Sequence, residues 1–283
     1  MTVQIGVVGS INLDLVASGA SLPGPGETVT GARFAKHPGG KGANQALAAR
    51  RLGGDVIMTG CVGDDELADA ALSLLREDGV DLSRIRVVEE DTTGVALIAV
   101  SEAGENQIVV ASGANASVNA SDVSRLPDCD AVLCQLEVPV DAVMAAFDQA
   151  KGLFAVNLAP ATDIPDRLLK GADLIIVNSG EATFYGEALL ENTGLVVVTL
   201  GGEGAKLYER GKFRAHVPAF AVEVIDTTGA GDTFSGALVL ALAEGQAPED
   251  ALRFASAASA LAVTKAGAQP SLPYRADVEA MLR

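Results

Sequence analysis

Apolar runs of about five or six residues recur along this chain, separated by segments in which apolar residues return with helical spacing. This alternation constrains the fold more than any other feature. Strands joined by helix-length connections pair in parallel, and a parallel sheet needs helices over both faces. Strands are predicted over Gln4–Gly9, Val56–Cys61, Ala131–Gln135, Phe154–Leu158, Leu174–Asn178 and Leu195–Leu200. Helices are predicted over Lys41–Leu52, Asp65–Asp78, Pro139–Ala150, Gly180–Leu190, Gly231–Ala243 and Pro248–Lys265, with a short turn between Asp163 and Leu169. The chain has 31 glycines and no tryptophan, which points to close helix-to-sheet packing rather than an aromatic core.

Two stretches break the alternation. Leu13 to Arg33 carries Pro23-Gly24-Pro25-Gly26 between strand-like pieces, and Gly94 to Val110 reads as a hairpin around the polar turn Ser101–Glu105. Neither belongs in a parallel sheet. A small antiparallel accessory sheet would hold both, either as a lid over a pocket or as an edge hairpin without a role.

Charge and scarce residue types exclude several functions. The formal net charge of −17 repels nucleic-acid phosphates and anionic membranes, so neither is expected as a partner. The apolar runs fall far short of the ~20 residues that span a bilayer. The chain opens on the strand-like run Val3 to Val8 without a basic leader, so a cytoplasmic location is expected. Cys61, Cys129 and Cys134 are an odd, sparse set beside apolar runs, read as buried thiols rather than a disulfide framework. With only His37 and His216 there is no His-rich zinc site, and a Ser-His-Asp hydrolase would also lack its Gly-x-Ser-x-Gly elbow. No Gly-x-Gly-x-x-Gly follows a strand, which disfavours a nicotinamide site.

Four polar segments remain. In Asp226-Thr227-Thr228-Gly229-Ala230-Gly231-Asp232-Thr233-Phe234 a glycine-rich turn runs into a helix. The unpaired N–H groups and dipole of that helix start suit an anion such as a migrating phosphoryl group. Asp232, at the same helix start, could take the proton of an attacking hydroxyl or could simply cap the helix. In Pro38-Gly39-Gly40-Lys41-Gly42-Ala43-Asn44-Gln45, Lys41 and Asn44 share a helical face and suit sugar hydroxyls; Gly42 after Lys41 rules out a Walker A loop. In Gly9-Ser10-Ile11-Asn12-Leu13-Asp14, directly after the first strand, Asn12 and Asp14 alternate to one side and could bind vicinal hydroxyls or form an Asx turn. Asn178-Ser179-Gly180-Glu181 follows another strand and is either a helix cap or an amide–carboxylate pair beside a water-coordinated Mg²⁺.

Taken together and in order, these segments resemble the ribokinase family of sugar and nucleoside kinases, over nearly the whole chain from Gly9 to Pro273. The pair Pro38–Asn44 and Asp226–Phe234 at this separation is the most specific part; Pro25-Gly26-Glu27-Thr28 and Gly267-Ala268-Gln269-Pro270-Ser271 add to it. The resemblance implies a single α/β domain over residues 1–283. It would have a Rossmann-like, mostly parallel sheet flanked by helices and a small β-sheet lid from about 12–36 and 87–111. It implies a phosphotransferase that passes the γ-phosphoryl group of ATP to the primary hydroxyl of D-ribose, with Mg²⁺ and K⁺ as cofactors and homodimers formed through the lid. By resemblance the sugar contacts fall on Asn12, Asp14, Gly40, Lys41, Asn44 and Glu137, with Asp232 as base and Gly229, Ala230 and Gly231 as the anion hole. The nucleotide would meet Asn178, Thr199, Gly201, Gly202, Gly204, Gly231 and Ser256, and Glu181 would act on Mg²⁺ indirectly. A monovalent cation would fall on Asp226, Thr228, Ala262, Lys265, Gly267 and Ser271, several through backbone carbonyls. Three departures stand out: a shortened segment between Glu181 and Thr199, Ser179 in place of a frequent Glu, and Ser256 in place of a common His near the adenine. Readings that stay open are a kinase for another small sugar, sugar acid or nucleoside, and a sugar-binding relative without catalysis. A nucleoside would favour an aromatic in the lid, for which Phe34 is the nearby candidate.

Overall fold

The computed structural model describes residues 2–283. Among the described residues, thirteen strands build two sheets. They are β1 (Gln4–Val8), β2 (Asn12–Gly19), β3 (Arg33–Gly39), β4 (Asp55–Gly63), β5 (Asp81–Val88), β6 (Gly94–Ser101), β7 (Asn106–Ala111), β8 (Ala131–Gln135), β9 (Leu153–Asn157), β10 (Leu174–Asn178), β11 (Leu195–Thr199), β12 (Ala205–Glu209) and β13 (Lys212–Val217). The large sheet runs β13-β12-β11-β10-β9-β8-β1-β4-β5, parallel from β11 to β5 and finished by the antiparallel pair β12 and β13. The small sheet runs β3-β2-β6-β7, with β2 and β6 parallel and the outer pairs antiparallel.

The central strands are apolar on both faces because helices cover both. Ile5 and Val7 of β1, with Ala131 and Leu133 of β8, face one core beneath the helices Lys41–Arg51, Ala230–Ala243 and Pro248–Ala262. Their alternating neighbours Val8, Val132 and Cys134 face a second core with Val143, Ala146 and Phe154. The expected close packing is present. A Cβ at Gly236 would lie 2.6 Å from the Gln45 carbonyl oxygen, so the helices Lys41–Arg51 and Ala230–Ala243 meet almost backbone to backbone. Cys61, Cys129 and Cys134 are free and buried. Burial pushes the Cys61 thiol up to about 12, with Asp122 adding to the rise. No helix among the described residues is long and apolar enough to cross a membrane.

Several expected bounds need correction. The helix expected over 65–78 is two short helices, Glu66–Ala71 and Ser73–Glu77, which meet at Leu72. The helix expected over 180–190 ends at Tyr185, because Gly186 takes a positive φ of 57° and the chain continues as a 3₁₀ segment. The helix expected to reach Lys265 ends at Ala262. The second stretch of the small sheet begins at Gly94 rather than near 87, since Val87 and Val88 complete β5 at the edge of the large sheet. The edge strands β5, β12 and β13 escaped prediction because they carry charged residues among the apolar ones and lack the buried runs of the centre. The closing helix Arg275–Leu282 was also not foreseen.

Candidate active site

The parallel strands end together at one edge of the large sheet, and their last residues turn polar there. Gln135, Asn157, Asn178 and Thr199 end β8, β9, β10 and β11. Gln135 stands opposite Asn157 in the ladder, and Asn178 opposite Thr199. Ligands of open α/β sheets bind beyond such carboxyl ends.

Gly229 opens the helix Ala230–Ala243 with a φ of 78°, a left-handed conformation that favours glycine. No side chain caps this helix start; the Ala230 N–H donates to the Thr227 carbonyl (3.2 Å), and Gly231 and Asp232, next in the helix, line a cavity. Asp232 is buried at 7% exposure. Its Oδ2 accepts from Asn44 Nδ2 (2.8 Å) and its Oδ1 from Gln45 Nε2 (3.0 Å). The simple capping reading of Asp232 therefore gives way: its carboxylate contacts a neighbouring helix rather than its own backbone. Lys41, Asn157, Asn178, Glu181, Thr199, Gly229, Gly231 and Asp232 line one cavity.

A second cavity adjoins the small sheet. Asn12 and Glu137 line it, together with Val110 from β7 and Asn115. Glu137 Oε2 accepts from Ser10 Oγ (2.6 Å) and from the Lys41 backbone N–H (3.1 Å), which ties the end of β8 to the start of helix Lys41–Arg51. Asn115 holds Asn12. Its Nδ2 donates to Asn12 Oδ1 (2.7 Å) and to the Ile11 carbonyl (3.0 Å), while its Oδ1 accepts from Ile11 N–H (2.8 Å). Asn12 thereby keeps its own amide N–H free for a ligand. Gly40 is needed for close approach. It has a φ of 89°, and a Cβ there would sit 2.7 Å from the Asn12 backbone nitrogen.

The acids and the lysine act on one another. Burial, with Glu137 and Asp232 adding, pushes the Asp14 carboxyl up to about 7. The Asp232 carboxylate, helped by Glu137 and Glu181, raises the Lys41 ammonium above its ordinary value against the opposing effect of burial. Burial raises the Glu181 carboxyl, opposed by the Asn178 N–H and by Lys41. Asp14 is thus neutral below about pH 7 and ionised above it. If the carboxylate form receives the hydroxyls of a ligand, affinity for that ligand should strengthen about five- to tenfold between pH 6 and pH 8. Titration calorimetry at the two pH values checks this, and Asp14→Asn should flatten the dependence.

Other expected positions fall as follows. Asn178 and Glu181 form a reciprocal cap, Asn178 Oδ1 accepting from Glu181 N–H and Glu181 Oε2 from Asn178 N–H, yet both still line the cavity. Gly201, Gly202 and Gly204 surround the exposed turn Gly201–Glu203 after β11 and are not among the lining residues of the Asp232 cavity. Ser256 is buried, with its hydroxyl donating to the Leu252 carbonyl in its own helix, and does not line that cavity. Asp226 bridges two loops. Its Oδ1 accepts from Thr228 N–H and Oγ1, and its Oδ2 from Gly267 N–H. These bonds outweigh burial and lower its carboxyl. Ser271 donates to the Ala268 carbonyl, Ala262 is buried at its helix end, and Lys265 is exposed beyond it. Gln45, Gln135, Asn157, Ser10 and Asn115 carried no role in the sequence. The available signal was a polar residue closing an apolar strand, at Gln135 and Asn157.

Comparison with known proteins agrees with this fold. The model of the pfkB family carbohydrate kinases matches residues 4–275. The chain is 39% identical to a ribokinase of Haemophilus influenzae over 96% of this chain and 95% of the relative. It is also 39% identical to one of Bacillus subtilis over 99% of both. A ribokinase structure from Thermotoga maritima superposes with a TM-score of 0.90 at 33% identity, covering 99% of each chain. An Arabidopsis thaliana ribokinase in complex with ribose and ATP superposes with a TM-score of 0.87 at 30% identity, covering 100% of this chain and 99% of that one. With the polar strand ends, the uncapped helix start and Asp232 gathered at one sheet edge, the chain belongs to the pfkB family of carbohydrate kinases, phosphotransferases that act on an alcohol group.

Proposed function

We propose that this protein transfers the γ-phosphoryl group of ATP to the primary hydroxyl of D-ribose, giving ribose 5-phosphate and ADP. The observation that carries this reading is the position of Asp232. It lines one cavity with Gly229 and Gly231 of the helix start and with Lys41, whose backbone N–H donates to Glu137 of the cavity that Asn12 also lines. Asp14, Lys41, Asn44 and Gly40 complete the sugar side. Asp232 takes the proton of the hydroxyl as its oxygen attacks phosphorus, and the bond between phosphorus and the bridging oxygen breaks toward ADP. The helix N–H groups and Lys41 offset the charge that develops on the phosphoryl oxygens. Asn178 and Thr199 position the nucleotide. The small sheet, closing as a lid, would exclude water as a competing acceptor.

Two cations belong to this reading. No group of three His, Cys, Asp or Glu side chains poised to hold a metal occurs among the described residues. That fits a Mg²⁺ that arrives with the nucleotide phosphates and keeps several waters, with Glu181 nearby to orient them. Asp226, a carboxylate held between the 226–229 and 263–271 loops, fits a K⁺ site completed by backbone carbonyls. When bound, the cation supplies fixed positive charge behind the anion hole. Association into a homodimer through the small sheet is supported by the exposed apolar side chains Leu97, Ile108, Val109 and Val110. A cytoplasmic location accords with three free thiols.

ADP release, measured with ATP, Mg²⁺ and K⁺ across a panel of sugars, sugar acids and nucleosides, tests the proposal. Turnover should be highest on ribose and should fall when a large organic cation replaces K⁺. Turnover only on a different acceptor would transfer the reading to that substrate. Ribose binding without turnover on any acceptor would make the protein a non-catalytic relative. Phe34, the aromatic that a nucleoside would want, is 64% exposed on β3, which favours a small sugar.

A further inference from the structure

Asp232 is held from below by a chain of side-chain amides. Asn157 Nδ2 donates to the Ile176 carbonyl (3.1 Å), and Gln45 Nε2 donates to Asn157 Oδ1 (3.1 Å) and to Asp232 Oδ1 (3.0 Å). Gln135 Nε2 donates to Gln45 Oε1 (2.7 Å). Gln45 and Gln135 are fully buried and Asn157 nearly so. The direction of this chain is not free. A backbone carbonyl can only accept, so Asn157 must turn its Nδ2 to Ile176 and its Oδ1 to Gln45. Gln45 must then present Nε2, whose second hydrogen goes to Asp232. Turning the Gln45 amide over would set its oxygen against two acceptors in a buried site, a loss of roughly 1–3 kcal/mol per unpaired group. Gln45 is fully buried with both ends of its amide engaged, by Asn157 and Asp232 on Nε2 and by Gln135 on Oε1, so it acts through Asp232.

We infer that Gln45, oriented by Asn157 and Gln135, is a positioning residue for phosphoryl transfer, its Nε2 keeping Asp232 Oδ1 an acceptor aimed for proton removal. This inference rests on the reading of Asp232 as the base. It goes beyond that reading by giving the carboxylate's orientation to a fully buried residue.

Gln45→Glu keeps the side-chain shape but can donate only when protonated. It would then share one proton with Asp232, as close carboxyl pairs do. The acid limb of the kcat profile should move up by about one pH unit or more, and kcat at pH 7 should fall about tenfold or more, with sugar affinity within a few-fold of wild type. A role confined to packing would not move the pH profile, so an unmoved acid limb with near-normal kcat overturns the inference. Asp232→Asn run alongside separates the two ideas. If Asp232→Asn turns over normally, the base reading fails and takes the inference with it. If Asp232→Asn is impaired while Gln45→Glu is normal, the inference alone fails. Should thermal melting show that Gln45→Glu does not fold, Gln135→Glu carries the test from one amide further away. It sets an acceptor against Gln45 Oε1, so a lower kcat with sugar affinity retained is expected, and an unchanged kcat overturns the inference.

Discussion

Asp232→Asn is expected to lower kcat by ~10²-fold or more while leaving ribose affinity within a few-fold of wild type. The two side chains have the same shape, so the change removes the base and little else. The surroundings can absorb the new amide. Asn44 Oδ1 is buried without a hydrogen-bond partner, so the Asn44 amide can turn over and accept from the nitrogen introduced at position 232. Gln45 Nε2 still has an oxygen to donate to, because the remaining carbonyl of the substituted residue can face it. The fold should therefore survive with a small change in melting temperature, and sugar binding measured by calorimetry should persist. Steady-state ADP release gives kcat directly. A kcat within about threefold of wild type would falsify the base assignment and leave positioning and electrostatics as the only contributions from this helix start.

Gly236→Leu is the second large expected effect, and it acts from outside the site. Gly236 lies in helix Ala230–Ala243, where that helix crosses Lys41–Arg51. A Cβ there would sit 2.6 Å from the Gln45 carbonyl oxygen and 3.1 Å from the Ala48 Cβ. A leucine has no room and must push the helices apart. Overpacking of this kind costs about 1–3 kcal/mol. Asn44 and Gln45 stand on the displaced helix and reach Asp232 on the other, so separation also lengthens both hydrogen bonds to the base. A displacement of about 1 Å at a reacting centre lowers rates by about 10²-fold. Thermal unfolding and kcat should fall together in this variant. A lower melting temperature with normal kcat would show that the two helices reseat without disturbing Asp232.

The sequence exposed one layer of the site and concealed the next. Lys41 and Asn44 were legible because a glycine-rich helix entry places them on one face, and Asp232 because a second such entry precedes it. Both are local patterns, complete within ten residues. Gln45 lies beside Asn44 in the same motif, yet nothing local distinguishes it, since its partners Gln135, Asn157 and Asp232 stand 90, 112 and 187 residues away. Asn115 was hidden for the same reason, being 103 residues from Asn12. Ser256 is a different case. Its expected nucleotide contact came from a resemblance, and the structure has its hydroxyl donating to a carbonyl within its own helix.

The large sheet divides along the same line. The central strands could be read because burial on both faces makes them continuous apolar runs. The edge strands β5, β12 and β13 mix charged and apolar residues, and the sequence has no record of which strand becomes an edge. By itself, then, the sequence determined the fold class, the glycine turns and the polar residues that those turns present, because each depends on contacts within one strand, turn or helix. Only the tertiary structure decided that Asp232 faces Asn44 and Gln45. It also decided that Gln135 and Asn157 stand side by side beneath them, and that Asp14 is buried among other carboxylates. Those outcomes depend on sheet register, on helix separation and on the low dielectric of a closed interior, quantities that exist only once distant segments have packed.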